Sequence, residues 1–215
     1  MASSPRLSAL QMDLLRAFFA HEQRFVLTGG GALAGFHLGH RTSDDLDLFG
    51  KPPVSIEDGA RAIAAAAAAV GGTVVRLRTA PEFQRVLVQR RQESAVVDLV
   101  IDRAPDVDAV EDHGGIRLHS RREIAANKIC ALLGRSEVRD LVDLRALLAT
   151  GLELGSVIAD AERKDGGVSP ATLAWILDSV RIGSDAEVPG VAAVELETFR
   201  RNLVVRLRSL AKPPA

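Results

Sequence analysis

Asp45 and Asp47 stand two residues apart in Asp45-Leu46-Asp47-Leu48-Phe49, a run that reads as a β-strand closed by Gly50 and the Pro52-Pro53 pair. Alternate side chains leave one face of a strand, so both carboxylates point the same way while Leu46 and Leu48 point into the core. Their attachment points are then roughly 7 Å apart. Two carboxylates so placed can share divalent cations, which take hard oxygen ligands at about 2.1 Å in the case of Mg²⁺. Without a cation they repel, and at least one pKa rises. Solvated acids at a strand end would show the same spacing, so the pair acquires meaning from its neighbours.

The segment before it supplies a second piece of chemistry. Phe25-Val26-Leu27 reads as a short buried strand that runs into Thr28-Gly29-Gly30-Gly31, and Ala32 to Leu38 reads as a helix stopping at Gly39. Unpaired backbone N–H groups at such a helix start favour phosphate through hydrogen bonds and the helix dipole, and glycine lets the phosphate approach closely. One short helix and the turn Arg41-Thr42-Ser43-Asp44 join this loop to the acid pair, so both can converge on one nucleoside triphosphate. Arg41 is well placed to support phosphate charge. A third carboxylate, Asp98, sits within Ser94 to Ile101 among aliphatic neighbours, where burial is costly unless the acid is paired or binds metal. Asp102 competes with it, but lies at the strand's end beside Arg103, and Asp98 is preferred.

Other reactive residues point elsewhere. His37 and His40 are three apart without a Cys or Glu at zinc-ligand spacing, and His113 and His119 flank a Gly114-Gly115 turn. With His21 they read as surface residues or as support to a site. Cys130, the single cysteine, excludes an intrachain disulfide framework and suits a reducing cytosol. Beside Ile129 and Leu132 it reads as an inert core thiol.

The elements that would position these groups follow from periodicity. Leu7, Leu10, Leu14, Leu15 and Phe18 mark a first helix ending near His21. Ser55, with Glu57 and Asp58, opens an alanine-rich helix through Val70 that stops at Gly71-Gly72. Three β-like runs follow: Thr73 to Leu77, Phe83 to Val88, and Ala95 to Ile101. From Ser120 the pattern is helical only. Ser120 to Glu123 reads as a capping box for a helix through about Leu133, and Ser136 as the cap of another to Leu148. Further helices are expected from about Leu154 to Arg163, from Ser169-Pro170, and from Val191 to Leu210 before Pro213-Pro214. The expectation is an α+β fold: a mixed-sheet core with helices over residues 1–115, then an all-helical half over 116–215.

Composition bounds the function. At 47% apolar and 26% charged residues, the chain has the balance of a globular protein rather than of a tail or coiled coil. Lys plus Arg number 27 against 28 Asp plus Glu, so any nucleic-acid partner needs a local basic patch. Met1-Ala2-Ser3-Ser4-Pro5 does not read as a secretion signal, and the apolar stretch Ala62 to Val70 is too short to span a bilayer. A cytoplasmic protein without membrane contact is expected.

Leu27-Thr28-Gly29-Gly30-Gly31-Ala32-Leu33 followed by His40-Arg41-Thr42-Ser43-Asp44-Asp45-Leu46-Asp47-Leu48-Phe49 resembles the signature of the AbiEii/AbiGii toxin nucleotidyltransferases, within the DNA polymerase β-like nucleotidyltransferase superfamily. Ala125-Ala126-Asn127-Lys128-Ile129 and Arg135 to Leu144 are similar to that family's later helices, so the likeness covers about residues 25–150. It implies that Asp45, Asp47 and Asp98 bind Mg²⁺ or Mn²⁺, and that Gly29, Gly30, Gly31, Arg41 and Ser43 receive the nucleotide. Lys128 would touch phosphate, and Asp140, with Asp143 as its rival, would complete the site. Gly31 departs from the family's usual Thr or Ser, for which Thr28 can compensate. The implied activity is transfer of a nucleoside monophosphate from an NTP to an acceptor hydroxyl, such as a tRNA 3′ end, by the toxin of a type IV toxin–antitoxin pair with a cognate antitoxin. Basic residues at Arg121, Arg122, Lys128, Arg135, Arg139, Arg200, Arg201, Arg206, Arg208 and Lys212 suggest where RNA could bind. The alternatives are an antibiotic-modifying nucleotidyltransferase and a non-catalytic nucleotide-binding module.

Overall fold

The structure, a computed structural model, describes residues 6–135, 137–183 and 190–211. Ser136, Met1 to Pro5, Lys212 and Pro213-Pro214, on which expectations were placed, lie outside the described residues. The chain divides into two compact units, Met1–Arg103 with Ala109–Ser120, and Ala104–Asp108 with Arg121–Ala215.

The first unit contains α1 (Ala9–His21), β1 (Phe25–Thr28), α2 (Gly29–Ala32), β2 (Asp45–Gly50), α3 (Ile56–Ala69), β3 (Thr73–Ala80), β4 (Phe83–Arg90), β5 (Glu93–Ile101), β6 (Val110–His113) and β7 (Ile116–His119). Among the described residues the strands form one seven-stranded mixed sheet in the order β3-β4-β5-β2-β1-β7-β6. One face is the core: Leu27, Leu46, Leu48, Val86, Val88, Val97 and Leu99 are all buried, and α1 and α3 pack in the same unit. Burial of this aliphatic set is what fixes register, since a slip of one residue would expose all of it. Ser8 with Gln11 and Ser55 with Asp58 form capping boxes that start α1 and α3. Gly59 lets α3 approach the sheet, because a side chain there would meet Phe25 and Leu99.

Three features depart from the sequence expectation. The helix after β1 begins at Gly29 itself, with Thr28 as N-cap, and passes into a π-type turn over Leu33–His37 closed by Leu38 N–H donating to the Leu33 carbonyl at 2.8 Å. The β6–β7 hairpin was not anticipated, as Val110–His113 is short and polar. The expected boundary near residue 115 falls in its Gly114-Gly115 turn, where both glycines have positive φ, and β7 joins the sheet parallel to β1. Strand β3 continues past Leu77, where the register against β4 shifts between Arg76 and Arg78.

The second unit contains α4 (Arg121–Gly134), α5 (Val138–Leu148), α6 (Leu154–Lys164), α7 (Pro170–Ser179) and α8 (Ala193–Leu210). Ser169 caps α7 with Pro170 in its first turn, as proline's missing N–H permits; the N-cap position of α5 is Glu137. Its core joins Ile124, Ile129, Leu132, Leu144, Leu173 and Leu203. The Glu123 carboxylate, fully buried, accepts from the Val107 and Asp108 N–H groups and from Lys164. Among the described residues no helix is long and apolar enough to cross a membrane.

Candidate active site in the first unit

Sheet register brings the acids into one row. Asp47 of β2 lies opposite Thr28 of β1 on one side and opposite Asp98 of the parallel strand β5 on the other, and Asp45 lies opposite Val96. Residues directly opposite in a ladder share a face, so Asp45, Asp47 and Asp98 all project from the side away from Leu46, Leu48, Val97 and Leu99. Asp45 and Asp47 are half-buried, and Asp98 is 5% exposed.

An acid this buried must be paired, and its partner is a residue the sequence reading did not single out. Arg85 of β4, opposite Asp98 in the antiparallel β4–β5 pair, holds both carboxylate oxygens in a fork, Nε to Oδ1 at 2.7 Å and Nη2 to Oδ2 at 2.6 Å. Its pKa is raised chiefly by that hydrogen bond, with further support from the charges of Asp98, Asp45 and Asp47. Asp102, the competing acid, instead pairs with Lys51 at 3.3 Å, and Arg103 turns to Glu82. The signal available in the sequence was Asp98's apolar context; the identity of its partner depends on register, which local patterning does not reveal.

The glycine triplet is shaped by these side chains. A methyl group on Gly29 would overlap the Asp47 carboxylate, and one on Gly30 would overlap the Arg41 guanidinium and the Ser43 hydroxyl. Gly29 also has φ +61°, a left-handed conformation that L side chains rarely adopt. Gly31 faces inward against the Asp45 carbonyl and Leu46. Among the described residues no side chain caps the first turn of α2, and the Thr28 hydroxyl is buried without a hydrogen-bond partner. Arg41 and Ser43 are buried, with Arg41 Nη1 donating to the Thr42 carbonyl at 2.8 Å and Ser43 Oγ donating to the Asp45 carbonyl at 3.2 Å. Gly29, Gly30, Arg41, Ser43, Asp45, Asp47 and Asp98 are thus assembled at one end of β1 and β2. Gly29→Ala is expected to reduce activity more than tenfold and stability by about 1–3 kcal/mol, measured by turnover and thermal melting; wild-type values for both would mean that this close approach is not required.

Lys128 and Asp140 meet within the second unit. The Lys128 ammonium, 6% exposed, lies 2.8 Å from both Asp140 and Asp143, which are 1% and 0% exposed. Burial pushes its pKa down, but Asp143 and Asp140 outweigh this and raise it. The two rival acids therefore share one lysine, and Arg135 Nε adds a bond to Asp140 at 3.0 Å. Several of the other cations suggested for RNA are also committed: Arg122 to Asp160, Arg200 and Arg201 to Glu197, and Arg208 to Asp178. A cleft of about 430 Å³ lined by Arg145, Val194, Glu195, Thr198, Phe199 and Asn202 carries none of the expected site residues. His119, expected at the surface or in support of a site, is buried edge-on to Phe49 at 6.3 Å. Cys130 is half-buried, its thiol 3.7 Å from the Ala161 carbonyl.

The model of the AbiEii nucleotidyl transferase toxins, type IV toxin–antitoxin system, matches residues 13–205. The chain belongs to this family. AbiEii membership makes it a nucleotidyltransferase, and its mixed sheet with helices is the corresponding α+β fold. Solved structures share that fold. JHP933 from Helicobacter pylori is 20% identical over 93% of this chain and 91% of its own, with a TM-score of 0.53. MenT4, a nucleotidyltransferase toxin from Mycobacterium tuberculosis H37Rv, is 14% identical over 96% of this chain and 83% of its own, with a TM-score of 0.55. No curated protein matches the sequence.

Proposed function

We propose that this AbiEii chain transfers a nucleoside monophosphate from an NTP to an acceptor hydroxyl on RNA, with a tRNA 3′ end as the expected acceptor. In this reading it is the cytoplasmic toxin of a pair whose antitoxin restrains it. The observation that carries the reading is the row Thr28–Asp47–Asp98 beside the start of α2. Donor chemistry fits a divalent cation: Asp45 and Asp47 offer half-exposed oxygens on one face, and Thr28 adds a buried hydroxyl lacking a partner. Asp45 and Asp47 would hold Mg²⁺ or Mn²⁺. Asp98 joins them as the third acid with Arg85 attached, since a carboxylate offers about four lone-pair sites and the fork takes two.

When bound, such ions activate the acceptor oxygen and neutralise the leaving pyrophosphate in an in-line displacement. The chain's own residues do the rest. The first turn of α2 has no side-chain cap among the described residues, so its N–H groups would receive a phosphate, with Gly29 keeping the backbone close to Asp47. Arg41, packed under Gly30 with Ser43, sets the position of that turn and adds positive charge. The assignment of Lys128 and Asp140 to the reaction stays within the proposal, with Asp143 sharing the lysine.

The test is incubation of the purified protein and Mn²⁺ or Mg²⁺ with each labelled NTP, in the presence of total RNA or of aminoglycosides. Label on RNA 3′ ends is the expected result. Label on the drug alone would replace the RNA assignment with small-molecule transfer, and nucleotide binding without transfer to any acceptor would leave a binding module.

A further inference from the structure

The row of acids continues into a row of cations. Asp98 lies opposite Arg85, and Arg85 lies opposite Arg78 of β3, so Thr28, Asp47, Asp98, Arg85 and Arg78 project from one face across five adjacent strands. Arg78 reaches that face only because of the irregularity at Leu77. Arg76 pairs with Val86, which belongs to the buried face, while Arg78 pairs with Arg85. In a regular strand residues two apart point the same way. The extra residue reverses this, and re-aiming a side chain is what bulges near functional sites do.

We infer that Arg85 and Arg78 form a track for the phosphodiester backbone of a nucleic-acid acceptor, leading from the acid row towards the sheet edge. Asp98 uses the Nε and one Nη2 proton of Arg85, whose side chain is 44% exposed, leaving the outer guanidinium protons for an anion. Arg78 is exposed and pairs with no carboxylate among the described residues. Its guanidinium lies 5.7 Å from the centre of the Phe83 ring, a half-buried aromatic on the same face on which a base can stack. At about 4.8 Å per strand, Arg78 stands roughly 10 Å from Asp98. A free triphosphate held at Gly30 and Asp47 has no need of a cation on the edge strand, whereas a polymer passing over the sheet does. The inference rests on the proposed RNA acceptor and extends it to particular residues.

The experiment measures binding of a fluorescein-labelled single-stranded oligoribonucleotide and of bulk tRNA to the full chain, by anisotropy over a range of salt concentrations. Nucleotide binding with Mn²⁺ is measured separately. Arg78→Ala is expected to weaken RNA binding about three- to tenfold and to reduce the salt slope by about 0.7–1, the loss of one phosphate contact. Arg76→Ala, two residues away on the other face, serves as the matched control and should leave both unchanged. Equal effects of Arg76→Ala and Arg78→Ala, or none from either, would overturn the track. So would a shift in self-association on sedimentation with RNA binding intact, which would assign the edge strand to contact between copies. The two levels fail separately: absence of label transfer to RNA despite an Arg78-dependent salt slope contradicts the catalytic reading alone, and transfer to RNA that ignores Arg78 contradicts the track alone.

Discussion

Asp47→Asn is expected to lower nucleotidyl transfer by about 10³-fold or more, while the melting temperature changes little. The loss corresponds to roughly 4 kcal/mol of transition-state stabilisation, the scale associated with a mispositioned metal ion. Stability should change little, because the repulsion that Asp47 suffers from Asp98 beside it and Asp45 two positions away is set against its attraction to Arg85. Asp98→Asn should also lower turnover and, by releasing Arg85 from a charged partner, weaken the protein slightly. Asp102→Asn provides the contrast: its carboxylate pairs with Lys51, so its loss is expected to leave turnover near wild type. A steady-state assay alongside thermal melting checks all three. Full activity in Asp47→Asn would remove the acid row from the chemistry.

Lys128→Met carries the largest expected effect on stability. It leaves the Asp140 and Asp143 carboxylates, both nearly inaccessible to water, without their shared cation. Breaking a buried ionic group by removing one partner costs about 3–5 kcal/mol, a fall in melting temperature on the order of 10 °C for a chain of this size. The triple variant Lys128→Met, Asp140→Asn, Asp143→Asn should recover part of that loss, since it leaves no unpaired buried charge. The pH dependence has a definite sign. A lysine whose folded pKa is raised above its ordinary value of 10.5 contributes its stabilisation fully below the unfolded value. It loses that contribution as pH rises through the folded value. Wild type should therefore weaken more steeply than the triple variant above about pH 10.5. Urea titrations at pH 8 and in the alkaline range measure this; parallel curves would show that Lys128 is not an ionic keystone of the helical unit.

What could be read without coordinates was whatever local patterning encodes. Alternation identified β2 and the face shared by Asp45 and Asp47, and the capping residues located the starts of α3 and α7. The isolation of Asp98 in an aliphatic run revealed that it needed a partner or a metal ion. The partner itself was out of reach, because the Arg85–Asp98 fork depends on the register of β4 against β5. The run from Thr73 read as ending at Leu77, whereas the strand continues to Ala80 through a bulge that turns Arg78 to the acid face. The β6–β7 hairpin lacked an apolar run and left only its paired glycines as a trace. At Gly29 and Gly30 composition indicated a phosphate cradle; coordinates add that the space left by the missing side chains is filled by Asp47, Arg41 and Ser43.

In the proposed function Asp45 and Asp47 ligate the divalent ion beside the turn that receives the triphosphate. Anomalous diffraction from crystals grown with Mn²⁺ and a non-hydrolysable NTP analogue would locate that ion. A manganese peak is expected within about 2.0–2.6 Å, the range of oxygen ligands to hard cations, of carboxylate oxygens of both Asp45 and Asp47, with phosphate oxygens at the first turn of α2. Manganese and nucleotide bound together at other residues, with both aspartates bare, would contradict it.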